Sequence, residues 1–180
     1  MKNNGAFKSI IVLVAICAFI AAAMAGVNMM TLDRILENKI KKEQQALDEV
    51  LKDNGGFEKL ENIDDLPQSV VAIYRDLDGE GIAMVLSAKG YDASNPISIA
   101  VGFDNDGNIE KCHVISATGE TKGIGSKVTD ASFLAQFSGK KDTYGVDTIS
   151  GATISSSAFS DAIADACEAF ARIAESEVAE

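Results

Sequence analysis

Between Asp147 and Ser156 the chain reads Asp-Thr-Ile-Ser-Gly-Ala-Thr-Ile-Ser-Ser, a glycine among hydroxyls opening onto a long apolar-striped segment. A helix start leaves backbone N–H groups without intrahelical acceptors, and such a start is a place to hold a phosphate. Gly151 lets backbone come close to a ligand, while Thr153, Ser155, Ser156 and Ser157 supply hydroxyls around the same point. Composition alone also admits a plainer reading, in which Ser150 or Thr153 is simply the helix cap.

The rest of the composition removes alternatives. A net charge of −11 over 180 residues argues against a nucleic-acid partner, which requires a basic surface. His113 is the sole histidine, so histidine metal sites and Ser-His-Asp chemistry lack raw material. Cys17, Cys112 and Cys167 are far apart, with no C-x-x-C for a zinc ribbon, iron–sulfur cluster or thioredoxin-like pair. Cys112 and Cys167 are read as small buried thiols, with pairing as the alternative outside the cell. The run Asp104-Asn105-Asp106-Gly107 lacks the further acidic ligands and distal glutamate of a calcium loop, and reads as a hairpin turn.

From Ser9 to Leu32 there is no charge. That is about 24 residues, or roughly 36 Å of helix, against a hydrocarbon core of about 30 Å. The segment reads as a single membrane span. The alternative is a cleaved signal peptide, with Ala21-Ala22-Ala23 or Ala23-Met24-Ala25 as the cleavage site. The anchor is favoured because apolar residues continue through Val27, Met29, Met30 and Leu32. Lys2 and Lys8 on one side and Arg34, Lys39, Lys41 and Lys42 on the other leave charge counting undecided, but a short tail before such a span favours the tail inside and the domain outside.

Beyond the span, Leu32, Ile35, Leu36, Ile40, Leu47, Val50 and Leu51 recur at helical spacing up to a stop at Asn54-Gly55-Gly56. The partner of this stripe is either the same domain or another subunit. Residues 57–68 read as irregular. Strands are expected over Val70–Arg75, Ile82–Ala88, Ile97–Phe103 and Ile109–Ser116, separated by turn chemistry at Asp76–Gly81 and Asp104–Gly107. Short consecutive strands with tight turns indicate an antiparallel sheet. A glycine-rich loop follows from Thr118 to Lys127, then a short helix at Phe133–Phe137. A final helix from Ile154 shows Phe159, Ile163, Ala166, Phe170 and Ile173 on one face, with Ala158, Ala162 and Ala169 small enough for close packing on the sheet.

Several of these stretches together resemble the FMN-binding subunits of the Rnf electron transport complex (its G subunit) and the related C subunit of the sodium-translocating NADH:quinone reductase. They are the span with Val27-Asn28, Gly90-Tyr91, the stretch Val101–Ile109, the loop Glu120-Thr121-Lys122-Gly123-Ile124-Gly125, and Asp147–Ser156. Lys122 stands where the family pattern usually has proline. The resemblance implies an α+β fold, a single N-terminal transmembrane helix followed by one FMN-binding domain with an antiparallel sheet packed by helices. It implies covalent FMN on Thr153 through a phosphoester, placed by a flavin transferase that recognises Asp147, Ser150, Gly151 and Ala152. Ser155 and Ser156 would bond the phosphate, and Glu120, Thr121, Gly123, Ile124 and Gly125 would lie near the flavin. Lys122 or Lys127 near the ring would stabilise its reduced anion. The expected arrangement is a cytoplasmic tail (1–8), a span (9–31), a membrane-proximal helix (32–56), an extracytoplasmic FMN domain (57–175) and a flexible tail (176–180). The implied function is electron transfer within a membrane complex that couples ferredoxin and NAD redox chemistry to ion transport, alongside the other membrane subunits. The alternative is a stand-alone membrane-anchored flavin carrier.

Overall fold

The computed structural model describes residues 4–51, 55–60, 63, 66–78 and 81–178. The chain divides into two units, Met1–Lys41 and Lys42–Glu180.

The described residues of the first unit are helical. They belong to α1 (Asn4–Val50), which contains the one helix among the described residues long and apolar enough to cross a membrane. Its large apolar side chains lie open, Phe7, Ile10, Phe19, Met24 and Met30 among them, as do Leu32, Ile35, Leu36 and Ile40 further on.

The second unit is built on a five-stranded antiparallel sheet in the order β1-β2-β3-β4-β5. Its strands are β1 (Phe57–Leu60), β2 (Val70–Asp76), β3 (Gly81–Ala88), β4 (Ile97–Asp104) and β5 (Ile109–Ser116). Sequential order follows from connections too short for crossovers. The β4–β5 turn is closed by Asp104, whose Oδ1 accepts the N–H groups of Asp106 and Asn108 and whose Oδ2 accepts from the Asn108 amide. The stretch expected to be irregular after residue 57 instead begins with β1. Four residues carry no readable alternation, and this strand exists because the edge of β2 offers it partners, Lys59 opposite Tyr74 and Leu60 opposite Ile73. The expected stop at Asn54 and the interior of the 76–81 turn lie outside the described residues.

Both faces of the sheet are covered. One carries the large side chains Ile73, Met84, Leu86, Ile99, Val101 and Phe103, packed under α3 (Thr153–Val178). α3 contributes Phe159, Ile163, Ala166, Ala169 and Ile173, all buried, while Phe170 stacks on Phe103 at 5.2 Å. Phe133, Phe137 and Phe159 form a second aromatic group, with ring centroids 5.3–5.4 Å apart. The short helix falls at Ala131–Leu134 (α2), after a 3-10 turn at Gly125–Thr129, so Phe137 sits beyond it in turns. The extended backbone of Asp130 (φ −69, ψ 135) sets that earlier start. α3 begins at Thr153 and reaches Val178, into the expected tail, because Glu175-Ser176-Glu177-Val178 contains no helix breaker.

The opposite face is lined by Ala72, Ala83, Val85 and Ala100, against which Ala46, Leu47, Val50 and Leu51 pack. Small residues here are a matter of distance: a Cβ on Gly102 would stand 2.4 Å from the Val50 carbonyl oxygen. Leu47, Val50 and Leu51 thus find their partner within their own domain. Polar contacts flank this packing. The Tyr74 hydroxyl donates to Glu43 at 2.6 Å, and Glu49 accepts from His113 Nδ1 at 2.9 Å and Lys111 Nζ at 3.3 Å. His113 is therefore a sheet-to-helix contact.

Candidate functional site

The glycine-rich loop, the β3–β4 connection and the start of α3 meet around one cavity of about 400 Å3. Its walls are Tyr91 from the β3–β4 connection, Thr121, Ile124 and Gly125 from the loop, and Gly151, Ala152, Thr153, Ile154 and Ser155 from the head of α3. Tyr91, Ile124 and Ile154 are exposed apolar side chains at this rim, 69%, 48% and 61% accessible. That combination of volume, apolar rim and hydroxyls suits a planar aromatic ligand with a polar tail.

The head of α3 is built by a tight turn. The Ala152 N–H donates to the Ile149 carbonyl at 2.9 Å, and Gly151 occupies the left-handed position (φ 80) that the turn requires. The Ser156 N–H bonds the Ala152 carbonyl, which makes Ala152 the N-cap. Alanine has no side-chain acceptor, and among the described residues the N–H groups of Thr153, Ile154 and Ser155 have no protein acceptor. The first turn also carries no acidic residue. The positive end of a 26-residue helix therefore faces the cavity without a cap.

The hydroxyls of this run divide sharply. Thr153 is exposed and lines the cavity. Ser156 is fully buried; its Oγ donates to the Ala152 carbonyl (2.9 Å) and accepts from the Ile149 N–H (3.2 Å), pinning the turn to the helix. Ser155 is buried and donates to Glu120 Oε2. Ser150 is exposed and does not line the cavity, and Asp147 is exposed, its backbone N–H held by Gln136 Oε1 at 2.8 Å. The 147–153 segment therefore presents Asp147, Thr148, Ser150, Gly151 and Thr153 outward together.

Glu120 lies behind the wall, 8% accessible, with Oε1 accepting the Tyr91 N–H at 3.0 Å. Gly123 (φ 76) shapes the loop, its N–H donating to Ser126 Oγ at 2.8 Å. Lys122 and Lys127 are exposed and line no part of the cavity. Two wall residues, Tyr91 and Ile154, do not stand out as site residues in the sequence. The signal for each is an apolar side chain next to a glycine-rich or hydroxyl-rich turn. Cys112 and Cys167 are free thiols. Burial raises both, Cys167 to about 11, so both are uncharged at neutral pH.

Residues 90–168, which include every wall of the cavity, match the family of FMN-binding domains. The fold and the site thus define an FMN-binding domain. The chain is also similar to the G subunit of the ion-translocating oxidoreductase complex of Methanosarcina acetivorans, 29% identical over 173 residues that span 89% of this chain and 92% of that protein. That likeness runs over most of both chains and, with the FMN-binding domain match, makes the protein similar to the Rnf G subunits.

Proposed function

We propose that this protein is the FMN-bearing electron-transfer subunit of a membrane-bound ion-translocating oxidoreductase complex, with the FMN phosphate esterified to the Thr153 hydroxyl. The observation that carries the attachment point is the sorting of hydroxyls at α3. Among the hydroxyl side chains of the 147–157 run, that of Thr153 alone belongs to a residue both exposed and part of the cavity wall. Ser155 and Ser156 are occupied by protein partners, so their part is to fix the helix head rather than to carry the cofactor. The phosphate would meet the N–H groups of Thr153, Ile154 and Ser155. Tyr91, Ile124 and Ile154 would shelter part of the ring, and Thr121, Gly123 and Gly125 would form the loop beside it. FMN supplies the electron transfer; the chain holds it, orients it and sets its electrostatic surroundings.

The outward display of Asp147, Ser150, Gly151 and Thr153 is what a modifying flavin transferase needs to reach. Residues 9–31 would cross the membrane after a short cytoplasmic tail (1–8), and residues 32–56 would join the span to an extracytoplasmic FMN domain over 57–175. The remaining membrane subunits of the complex are the partners. A covalent tether suits that location, because a released cofactor would be lost.

Coexpression with the flavin transferase should give a flavin-fluorescent band in a denaturing gel, and Thr153→Ala should abolish it. A band that persists in Thr153→Ala places the tether elsewhere. A wild type without a band removes the covalent reading.

A further inference from the structure

Two carboxylates are buried among the described residues, Asp76 and Glu120. Asp76 serves backbone, accepting the N–H groups of Gly55 and Asp78. Glu120 is different, because both of its hydrogen bonds go to the walls of the cavity. Oε1 takes the N–H of Tyr91 and Oε2 takes the hydroxyl of Ser155. One side chain thereby ties the β3–β4 connection, the glycine-rich loop and the first turn of α3 together. Two glycines make room for it: a Cβ on Gly90 would stand 2.0 Å from Oε1, and one on Gly125 2.4 Å from Oε2. No Lys or Arg is paired with Glu120 among the described residues. A carboxylate only accepts, and both of its neighbours donate.

We infer that Glu120 is a positioning residue that also tunes the flavin, holding three walls in register while placing a fixed negative charge behind them. This rests on the reading that FMN occupies the cavity. Reduction adds negative charge to a flavin, and an unpaired buried carboxylate opposes that charge more strongly than one in water would. Glu120 therefore biases the cofactor toward its oxidised form and lowers its potential. It is a device for keeping the carrier a willing donor.

The test is a potentiometric titration of the full-length flavinylated protein, following flavin absorbance. Glu120→Gln keeps the length of the side chain, accepts the Tyr91 N–H through its carbonyl and can donate its amide to Ser155. It should melt near the wild type yet show an oxidised-to-reduced ratio shifted about tenfold toward reduced at a fixed potential, about 30 mV for a two-electron couple. Ser155→Ala retains the charge and removes one of its donors, so its ratio should move the opposite way. Glu120→Ala should lower the melting temperature and the flavin fluorescence anisotropy together, because the walls come apart. A flavin-bearing Glu120→Gln with an unmoved potential overturns the inference, as does a Ser155→Ala shift of the same sign as Glu120→Gln. If Glu120→Gln does not fold, the sign for Ser155→Ala alone decides. A wild type that takes up no FMN overturns the cofactor reading and this inference together.

Discussion

Thr153 and Glu120 are linked through one serine: Thr153 opens the helix, Ser155 follows it by two residues, and the Ser155 hydroxyl ends on the carboxylate. This small network tolerates little added volume. Gly125→Ala would bring a methyl to 2.4 Å from Glu120 Oε2 and 2.8 Å from Ser155 Oγ, so it should cost about 1–3 kcal/mol in chemical denaturation, as overpacking does. An unchanged midpoint would show that the carboxylate is free to move aside. Glu49 carries a pH-dependent contact of its own. The His113 charge beside it, followed by a hydrogen bond from Lys111, holds its carboxyl below the usual 4.5. Its contribution to stability is therefore present above that value and lost as pH falls through the lower folded value. Melting temperatures of wild type and Glu49→Gln should converge as pH drops below about 4.5; parallel curves would count against the contact.

At the scale of elements, α3 does two things with one sequence. Its middle forms core through Phe159, which touches Phe133 and Phe137, and Phe159→Ala should cost about 3–5 kcal/mol by denaturant melting. Its start lacks a side-chain cap, so the esterified phosphate should act as one. The flavinylated chain should be more stable than the unmodified chain by about 1 kcal/mol, the ordinary worth of an N-cap. Equal melting curves would mean the phosphate lies away from the helix axis. These elements are unequally legible in the sequence. The alternation Ile97, Ile99, Val101, Phe103 and the stripe Phe159, Ile163, Ala166, Ile173 announce a sheet under a helix. Nothing announces β1, because Phe57–Leu60 acquires its conformation only from the β2 edge. The meaning of Ala72, Ala83, Ala100 and Gly102 is equally hidden, since small residues on a strand say nothing until the helix that approaches them is known.

For the whole molecule, an apolar helical unit and an FMN-binding domain occupy one chain of 180 residues, and the division of labour follows from composition. The charge-free run from Ser9 to Leu32 fits lipid, while the acidic remainder folds around a sheet covered on both faces. The proposed attachment run is readable because hydroxyls, glycine and a helix start coincide in ten consecutive residues. Which hydroxyl is available is not readable, because that depends on Ser155 and Ser156 being claimed by Glu120 and the Ile149–Ala152 turn. The span also makes a statement about mass, since an anchor stays on the mature chain and a signal peptide does not. Mass spectrometry of the protein purified from membranes, intact and then as peptides, reads both the FMN tether on Thr153 and the retention of the span. The expected result is an uncleaved chain heavier by one FMN less one water, with the addition on the peptide that contains Thr153. An unmodified mass despite supplied transferase and flavin, or flavin on any other residue, would contradict it.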